Sequence, residues 1–177
     1  FLQELLLPLF DRVGRLWSDG EMKIVHEHML SAIARSILWD MLKSAVVTPT
    51  APKMIVATPT GHWHECGALI SAVTVAESGW RVVYLGPSLP AEEIAYGVRQ
   101  ADARALTLSM GHGINDMKIS MELRKIRRDL GAQIPIFVGG RGAAAAASLL
   151  EEINAWQTDD LREFRNRIEA MGRHDLV

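Results

Sequence analysis

The sequence predicts an α/β protein in which a doubly wound parallel sheet follows a short helical region. Two observations favour this class. After residue 52, short apolar runs rich in β-branched residues alternate with longer segments of helical periodicity. That alternation is typical of a parallel sheet with helices on both of its faces. Before residue 47, in contrast, the apolar residues recur only at helical spacing.

The helical region is expected to form part of a helical-bundle cap over residues 1–46. Residues 2–16 carry one apolar face and predict an amphipathic helix. The segment from Ser18 to Glu21 matches a capping box, with a hydroxyl at the cap and a carboxylate three residues later, and predicts the start of a second helix. Residues 47–52 contain two prolines and no periodicity, which indicates a linker.

Residues 53–177 are expected to form one α/β domain with a five-stranded sheet. In the flavodoxin-like strand order 2-1-3-4-5, the loops after the first and third strands flank the topological switch point, where open α/β sheets bind ligands. The predicted strands are 53–58, 81–85, 105–109, 134–138 and 156–158, and the predicted helices are about 67–79, 90–100, 115–130, 141–153 and 160–171.

Composition argues against several classes of protein. The 177 residues are 49% hydrophobic, enough to bury a core, and the net charge of −2 gives no basic field to hold nucleic acid. A single cysteine rules out an internal disulfide framework and favours the cytoplasm. The apolar start is too short for a membrane span and too acidic for a signal peptide, so no membrane contact is expected. The chain opens within a helix and without Met, which predicts a fragment of a longer protein.

The loop after the first predicted strand is the most informative segment. It reads Gly61-His-Trp-His-Glu-Cys-Gly67 and carries two histidines at the carboxyl end of a buried strand. Neutral imidazole is the commonest side-chain ligand for metals. This loop is therefore a candidate metal or cofactor site.

The loops after the third and fourth predicted strands are rich in glycine. They cover residues 109–113 and 139–142, and glycine there permits close approach of a large ligand to the backbone. Tight strand-to-helix turns that need glycine for their own geometry are the alternative explanation. The loop after the second strand, residues 86–90, has an ordinary composition and is not expected to take part.

The chain after the linker resembles the cobalamin-binding domain of corrinoid proteins. That family has a D-x-H-x-x-G loop after the first strand, an S-x-L segment after the third and a Gly-Gly pair after the fourth. Here His64 and Gly67 match the first motif, Ser109 the second, and Gly139 with Gly140 the third. The resemblance implies that His64 is the lower axial ligand of cobalt in place of dimethylbenzimidazole, and that the displaced nucleotide tail lies between Ser109 and the Gly-Gly loop.

Two positions depart from these motifs. His62 stands where the family has an acidic residue that accepts a hydrogen bond from the ligand imidazole and raises its basicity. A neutral His62 could accept the same bond with less charge, or could point elsewhere. Gly111 stands where the S-x-L segment has leucine. The cofactor-contacting residues that the resemblance implies in these loops are His62, Trp63, Gly67, Ser109, Gly111, Gly139, Gly140 and Gly142.

The cap carries a second resemblance. Trp17 is followed, after nine residues, by Glu27 and His28, a W-x9-E-H pattern. This pattern is similar to the helical cap of CarH-type regulators, which sense light through adenosylcobalamin. By that resemblance, Trp17 covers the upper face of the cofactor, where the adenosyl group sits, and the Glu-His pair lies beside it. Ser18 stands where such sensors have a histidine that can ligate cobalt after photolysis, so His28, His112 or water would have to serve here.

The sequence therefore predicts a cobalamin-binding, light-sensing regulatory module rather than an enzyme. Adenosylcobalamin is the expected cofactor, with methylcobalamin or hydroxocobalamin as alternatives. Photolysis is expected to change the cap and the assembly of a homo-oligomer, while DNA would be bound only by an upstream domain. A corrinoid carrier of a methyltransferase system is the alternative function. A third hypothesis, which leaves the glycine loop after the fourth strand unexplained, is a transition-metal site of His62, His64, Cys66 and His112.

Overall fold

The structure is a computed structural model and describes residues 1–111, 116–158 and 160–173. Its strands are β1 (Lys53–Pro59), β2 (Arg81–Leu89), β3 (Ala105–Ser109), β4 (Ile136–Gly139) and β5 (Trp156–Thr158). Its helices are α1 (Leu7–Ser18), α2 (Ile24–Ser44), α3 (Cys66–Glu77), α4 (Ala91–Ala101), α5 (Asp116–Leu130), α6 (Ala147–Glu152) and α7 (Leu161–Arg173). Within the described ranges, no helix combines the length and the apolar character needed to cross a membrane.

The five strands form one parallel sheet in the order β2-β1-β3-β4-β5. Helices α4, α5 and α6 cover one face, where Ile94 and Leu123 pack near Leu106. Helices α3 and α7 cover the other face, where Phe137 packs against Phe164. The crossover changes face between β1 and β3, so the topological switch point lies between the loops that follow these two strands. The predicted fold class and strand order are confirmed.

The helical region packs on the outer side of α3. A π-helical turn, Leu2–Leu6, runs directly into α1, and α2 lies along α3. Leu38 of α2 is fully buried in this contact, and burial of a leucine side chain contributes about 1.5–3 kcal/mol. The division at residues 47–52 into cap and α/β domain stays a prediction. The buried residues that join the two parts are Leu2, Leu6, Ala34, Leu38, Leu69, Ile70 and Val73.

The start of α2 differs from the prediction. Ser18 is the last residue of α1 rather than the cap of α2, and its hydroxyl donates to the carbonyl oxygen of Arg15 over 2.9 Å. Gly20 has a φ of +72°, a conformation that favours glycine and is common where a helix ends. Helix α2 begins at Ile24, and its N-cap residue Lys23 makes no side-chain bond to the helix. The capping-box interpretation was wrong because this segment serves the end of α1.

Two further elements differ in length from the prediction. Strand β2 continues to Leu89 and shows two register shifts against β1. The helix predicted over 141–153 is shorter, because a 3-10 turn at Ala144–Ala146 precedes α6. Both differences arise in the loops at the carboxyl end of the sheet, which form the candidate site.

Candidate functional site

The loop between β1 and α3 places its two histidines in opposite environments. His62 is buried, with 3% of its surface exposed, whereas His64 is exposed. The Nδ1 atom of His62 accepts a hydrogen bond from the backbone N–H of Gly111 over 2.9 Å. Because Gly111 follows β3, this bond joins the two loops at the topological switch point. Trp63, between the histidines, is 71% exposed, so Trp63 and His64 are the residues open to a ligand from outside.

Side chains from β1 and β2 hold this loop in place. The buried Thr58 hydroxyl donates to the carbonyl oxygen of His62 and accepts from the backbone N–H of Ser88, the latter over 2.8 Å. The Ser88 hydroxyl in turn accepts from the N–H of Gly61 over 3.0 Å. The segment 86–90, which was predicted to be ordinary, therefore supports the histidine loop. A threonine near the end of an otherwise apolar strand is the sequence signal for this contact.

The second ring nitrogen of His62 has no protein partner. Its Nε2 atom is buried and makes no hydrogen bond with any residue in the described ranges. Burial lowers the pKa of His62, and the charge of His64 lowers it further, so the neutral ring is favoured. A buried polar atom without a partner is uncommon in native proteins, and it fits a site in which a ligand supplies the partner.

Glu27 and His28 of α2 form a hydrogen-bonded pair. Glu27 Oε2 lies 2.7 Å from His28 Nδ1, and the Ser31 hydroxyl donates to the other carboxylate oxygen over 2.6 Å. The hydrogen bond from Ser31 lowers the pKa of Glu27, while burial raises it. The bond to His28 and the charges of His28 and His64 lower the pKa of Glu27 further. Glu27 of the cap therefore interacts electrostatically with His64 of the histidine loop.

Trp17 lies at the last turn of α1. Its side chain is 47% exposed and lines a shallow hollow together with residues of the following turn and the start of α2, which are Gly20, Met22, Lys23, Ile24 and Val25. An exposed tryptophan of this size leaves a large apolar surface without cover. Its placement over a cofactor face stays a prediction.

Glu65 links the histidine loop to the cap and to the sheet. The Tyr84 hydroxyl donates to Glu65 Oε2 over 2.8 Å, and Arg35 of α2 donates to Oε1 over 3.2 Å. Burial, together with the bond to Glu65, raises the pKa of Tyr84 well above its usual range. Burial also raises the pKa of the Cys66 thiol to about 11, so this cysteine is a neutral thiol at physiological pH. No spacing in the sequence relates Arg35, Glu65 and Tyr84, and they were not among the predicted site residues.

The loops after β3 and β4 pack backbone against backbone. The Gly142 N–H donates to the carbonyl oxygen of Met110 over 3.0 Å, and the Met110 N–H donates to the carbonyl oxygen of Gly139 over 2.8 Å. A Cβ atom on Gly140 would lie 2.4 Å from the Met110 oxygen, and one on Gly142 would lie 2.3 Å from the Gly111 oxygen. Contact between the two loops therefore leaves no space for a side chain at Gly140 or Gly142.

Gly67 and Ser109 meet where α3 begins. A Cβ atom on Gly67 would come within 2.6 Å of the Ser109 hydroxyl oxygen, and Ser109 itself is 6% exposed. On the other side of β4, a Cβ atom on Gly139 would lie 2.6 Å from the hydroxyl oxygen of Thr158. The cofactor contacts expected for these residues stay predictions. The structure gathers at this edge of the sheet the predicted residues His62, Gly67, Ser109, Gly111, Gly139, Gly140 and Gly142.

Arg141 ties the loop after β4 to the cap. Its guanidinium pairs with the Asp11 carboxylate of α1 and donates to the carbonyl oxygen of Phe10 over 3.3 Å. Both charged side chains are about half exposed, so the pair contributes at most about 1 kcal/mol after screening by solvent. The contact shows that α1 lies beside the loop after β4.

The transition-metal hypothesis gains no support. Among the residues that the structure describes, no three histidine, cysteine or acidic side chains are grouped so that they could hold a metal ion. His112 lies outside the described residues. A single axial histidine on a cobalt that a corrin ring already holds would not need such a group, and this role of the exposed His64 stays a prediction.

Two family comparisons cover most of the chain. Residues 52–170 match the B12 binding domain family, and residues 1–38 match a second family that is also described as a B12 binding domain. The first match covers more than half of the chain and includes every strand of the sheet.

Two relatives are transcriptional repressors from Myxococcus xanthus. The chain is 27% identical to the HTH-type transcriptional repressor CarH over 150 residues, which cover 85% of this chain and 50% of that protein. It is 27% identical to the HTH-type transcriptional repressor CarA over 158 residues, which cover 89% of this chain and 53% of that protein. The chain thus spans about half the length of the two relatives.

Two solved structures share the fold. A novel cobalamin-binding protein from Desulfitobacterium hafniense DCB-2 is 20% identical, with a TM-score of 0.55 over 91% of this chain and 75% of that one. The monomethylamine corrinoid protein of Methanosarcina barkeri is 15% identical, with a TM-score of 0.68 over 91% of this chain and 77% of that one. At these identities the likeness concerns the fold alone. With the family match over residues 52–170, it leads to one conclusion: the chain belongs to the B12-binding domain family.

Proposed function

We propose that this chain is a cobalamin-binding regulatory module that senses light, and that loss of the upper cobalt ligand changes the cap and the assembly of the protein. The observation that carries the proposal is the electrostatic interaction between Glu27 of the cap, which bonds to His28, and the exposed His64 of the histidine loop. The likeness to CarH and CarA, both named as transcriptional repressors, supports a regulatory output.

The residues of the site fit a corrinoid. His64 is exposed, while His62 carries a buried Nε2 that has no partner within the described ranges. When bound, adenosylcobalamin would supply a cobalt–carbon bond that light breaks. His64 would hold the cobalt from below, and Ser109 with Gly139 and Gly140 would line the nucleotide tail. Trp63, beside His64, would cover part of the ring because its exposed indole has no other apolar cover.

The cap would supply the upper wall of the site. Trp17 would pack against the adenosyl group, and Glu27 and His28 would offer it polar contacts. Removal of that group would leave a void, which packed interiors do not tolerate without rearrangement. Because α2 also exposes a continuous apolar stripe, a moving cap would change the surface available for assembly. The residues of this stripe are Val25, Met29, Ile33 and Ile37.

Adenosylcobalamin is the cofactor form that we favour, ahead of methylcobalamin and hydroxocobalamin. Of these forms, only adenosylcobalamin has an upper ligand large enough to contact the proposed wall. We assign homo-oligomer formation to the cap, and contact with DNA to a separate domain. The names of CarH and CarA as HTH-type repressors support the latter assignment. We place the protein in the cytoplasm, where its single cysteine stays reduced.

A corrinoid carrier of a methyltransferase system is the second candidate. The monomethylamine corrinoid protein of Methanosarcina barkeri, which has the same fold, favours it. A carrier must let its cap move away so that a partner enzyme reaches the cobalt. Contacts between cap and loops, Arg35 to Glu65 and Arg141 to Asp11, support a cap that stays beside the loops until the upper ligand is lost, and so favour the sensor.

The two functions are separated by illumination. The purified protein is loaded with adenosylcobalamin in the dark, and its absorption spectrum and its elution from a size-exclusion column are recorded before and after green light. A sensor changes both the spectrum and the elution volume. Photolysis in the spectrum with an unchanged elution volume would favour the carrier, and failure to bind any corrinoid would reject both.

The ligand assignment is tested by His64→Ala. The variant should keep its fold but shift bound cobalamin to a base-on or water-ligated spectrum with weaker binding. Labelling the histidines of the native protein with heavy nitrogen should change the nitrogen splitting in the electron paramagnetic resonance spectrum of bound cob(II)alamin. An unchanged spectrum in the variant would overturn the assignment of His64.

A substitution of Trp17 tests the sensor against the carrier at a single side chain. Trp17→Ala should weaken adenosylcobalamin binding and leave methylcobalamin binding nearly unchanged. Aromatic packing contributes about 0.5–1.5 kcal/mol beyond area burial, which is enough to measure by titration. Trp156→Ala is the control, because Trp156 packs on Phe137 at the far edge of the sheet. Equal losses for both cofactors in Trp17→Ala would mean general packing of the cap and would return the carrier to first place.

A further inference from the structure

The hydrogen bond between Gly111 and His62 determines where the His62 proton lies. The backbone N–H of Gly111 donates to Nδ1 of His62 over 2.9 Å. A nitrogen that accepts an N–H bond must present a lone pair and therefore carries no proton. The neutral ring then has its proton on Nε2, and this nitrogen can only donate.

That Nε2 donor is buried without a partner. His62 is 3% exposed, and within residues 1–111, 116–158 and 160–173 nothing accepts a bond from its Nε2. The ring cannot simply turn over to offer its lone pair to the site, because Gly111 would then lose the acceptor for its own N–H. The carbonyl of His62 is fixed as well, by the Thr58 hydroxyl. The backbone of His62 and the side-chain nitrogen that accepts from Gly111 are therefore held by separate bonds.

The polarity of this donor conflicts with the bond expected behind an axial histidine. A neutral His64 that ligates a metal through one nitrogen carries its proton on the other, which is then a donor. Two N–H groups cannot form a hydrogen bond with each other. His62 in the observed state is thus unable to accept a bond from His64, although it occupies the position that precedes the ligand by two residues.

We propose that His62 is a positioning residue that holds the loop after β3 through Gly111, and that it presents only a donor to the site, so that it cannot serve as the hydrogen-bond acceptor behind a cobalt-bound His64. The inference rests on the proposed role of His64 as the axial ligand. An acceptor behind a ligating imidazole raises its basicity, and loss of such an outer partner typically weakens metal binding. The axial bond in this protein is therefore weak and readily exchanged.

The matched variants His62→Asp and His62→Asn test the polarity of the side chain at nearly constant shape. Either side chain offers an oxygen to the Gly111 N–H. Asp has a second acceptor for His64, whereas Asn presents an amide donor there, as His62 does. With methylcobalamin bound, His62→Asp should raise the ratio of His64-ligated to unligated cobalt by about tenfold or more, and His62→Asn should stay close to the native protein. His64→Ala provides the unligated reference spectrum.

A measurement without cofactor tests the same inference independently. Nitrogen NMR of histidine-labelled protein distinguishes the two neutral tautomers, and the signal of His62 is assigned by its disappearance in His62→Asn. The proton should lie on Nε2. A proton on Nδ1 would overturn the inference, whatever His64 does.

The two arms separate this inference from the proposed function. If His64→Ala changes the spectrum but His62→Asp and His62→Asn both match the native protein, the inference is wrong and the ligand assignment stands. If His64→Ala leaves the spectrum unchanged, the ligand assignment fails, and with it the claim about the axial bond. The position of the His62 proton is then decided by NMR alone. Chemical denaturation of each variant shows whether it is folded, and an Asp variant that does not fold leaves the native NMR measurement decisive.

Discussion

Arg141 lies directly against Gly14 of α1, where a Cβ atom on Gly14 would come within 2.5 Å of the guanidinium nitrogen Nη1. A glycine inside a helix costs about 1 kcal/mol relative to alanine. The space that Gly14 leaves is the space through which Arg141 reaches Asp11. The missing side chain of Gly14 therefore leaves a notch in the cap surface, and Arg141 of the loop after β4 fills this notch.

Gly14→Ala should show coupling to Arg141 in a double-mutant cycle. In an Arg141→Ala background, Gly14→Ala should stabilise the protein by about 1 kcal/mol, because only helix propensity changes. In the native background the new methyl group displaces the guanidinium from Asp11, and the gain should be smaller. Chemical denaturation of the four proteins measures the difference. Equal gains in both backgrounds would show that the notch has no role.

Gly140→Ala should destabilise the protein more than Gly131→Ala. Both glycines have a positive φ, +91° and +71°, so each substitution carries the strain of that conformation, on the order of 1–3 kcal/mol. A Cβ atom at Gly140 also meets the Met110 oxygen at 2.4 Å, whereas one at Gly131 meets nothing within 4 Å. Thermal unfolding of the two variants, matched in backbone conformation, isolates the contact between the loops. A smaller loss at Gly140 would contradict the close packing.

Thr58→Val should reduce both stability and cobalamin affinity. It removes the partner of the Ser88 N–H and of the His62 carbonyl in a buried place, which costs about 1–3 kcal/mol for each group left unsatisfied. Thr74→Val is the control, since the buried Thr74 hydroxyl donates only within its own helix, to Ile70. The control should keep native cobalamin binding. Full affinity in a folded Thr58→Val variant would mean that the loop does not need this anchor.

Ser31→Ala should raise the pKa of Glu27 toward its usual value of 4.5. The Ser31 bond is the largest cause of the lowered pKa in the folded protein. A lowered folded-state pKa contributes stability that is present above the unfolded value and lost as the pH falls through the folded one. Ser31→Ala should therefore flatten the acid side of the stability curve. Carboxyl NMR titration measures the pKa, and Ser36→Ala, a change at an exposed serine of the same helix, should leave it unchanged.

Much of the fold could be predicted from the sequence, because the spacing of apolar residues differs clearly between the strand segments and the helix segments. The alternation after residue 52 predicts the strands, and the flavodoxin-like order that was expected for them brings the loops after β1 and β3 to one edge of the sheet. The three-loop convergence was predictable for the same reason. The start of α2 was not, because a serine followed by an acid serves equally well at the end of one helix or the start of the next. In this chain Ser18 bonds to a carbonyl of α1.

The supporting contacts of the site were beyond the sequence pattern for a geometric reason. Ser88 reaches Thr58 only because β2 continues past two register shifts, and no period in the sequence signals such shifts. The polarity of His62 likewise depends on a bond from a backbone N–H, which any residue at position 111 carries. Residue types therefore predicted where the site lies, while backbone geometry determines how it is held.

The Glu65 carboxylate joins the cap to the sheet. Arg35 of α2 and Tyr84 of β2 each donate to a different one of its two oxygens, and the side chain is only 17% exposed. The long Arg35 side chain can follow small rotations of α2 without losing its contact with Glu65. Such rotations would therefore leave the histidine loop unchanged. A larger rotation would break that contact and let water reach a carboxylate adjacent in sequence to His64. The cap and His64, the proposed axial ligand, should thus respond to one another in a single step rather than in proportion.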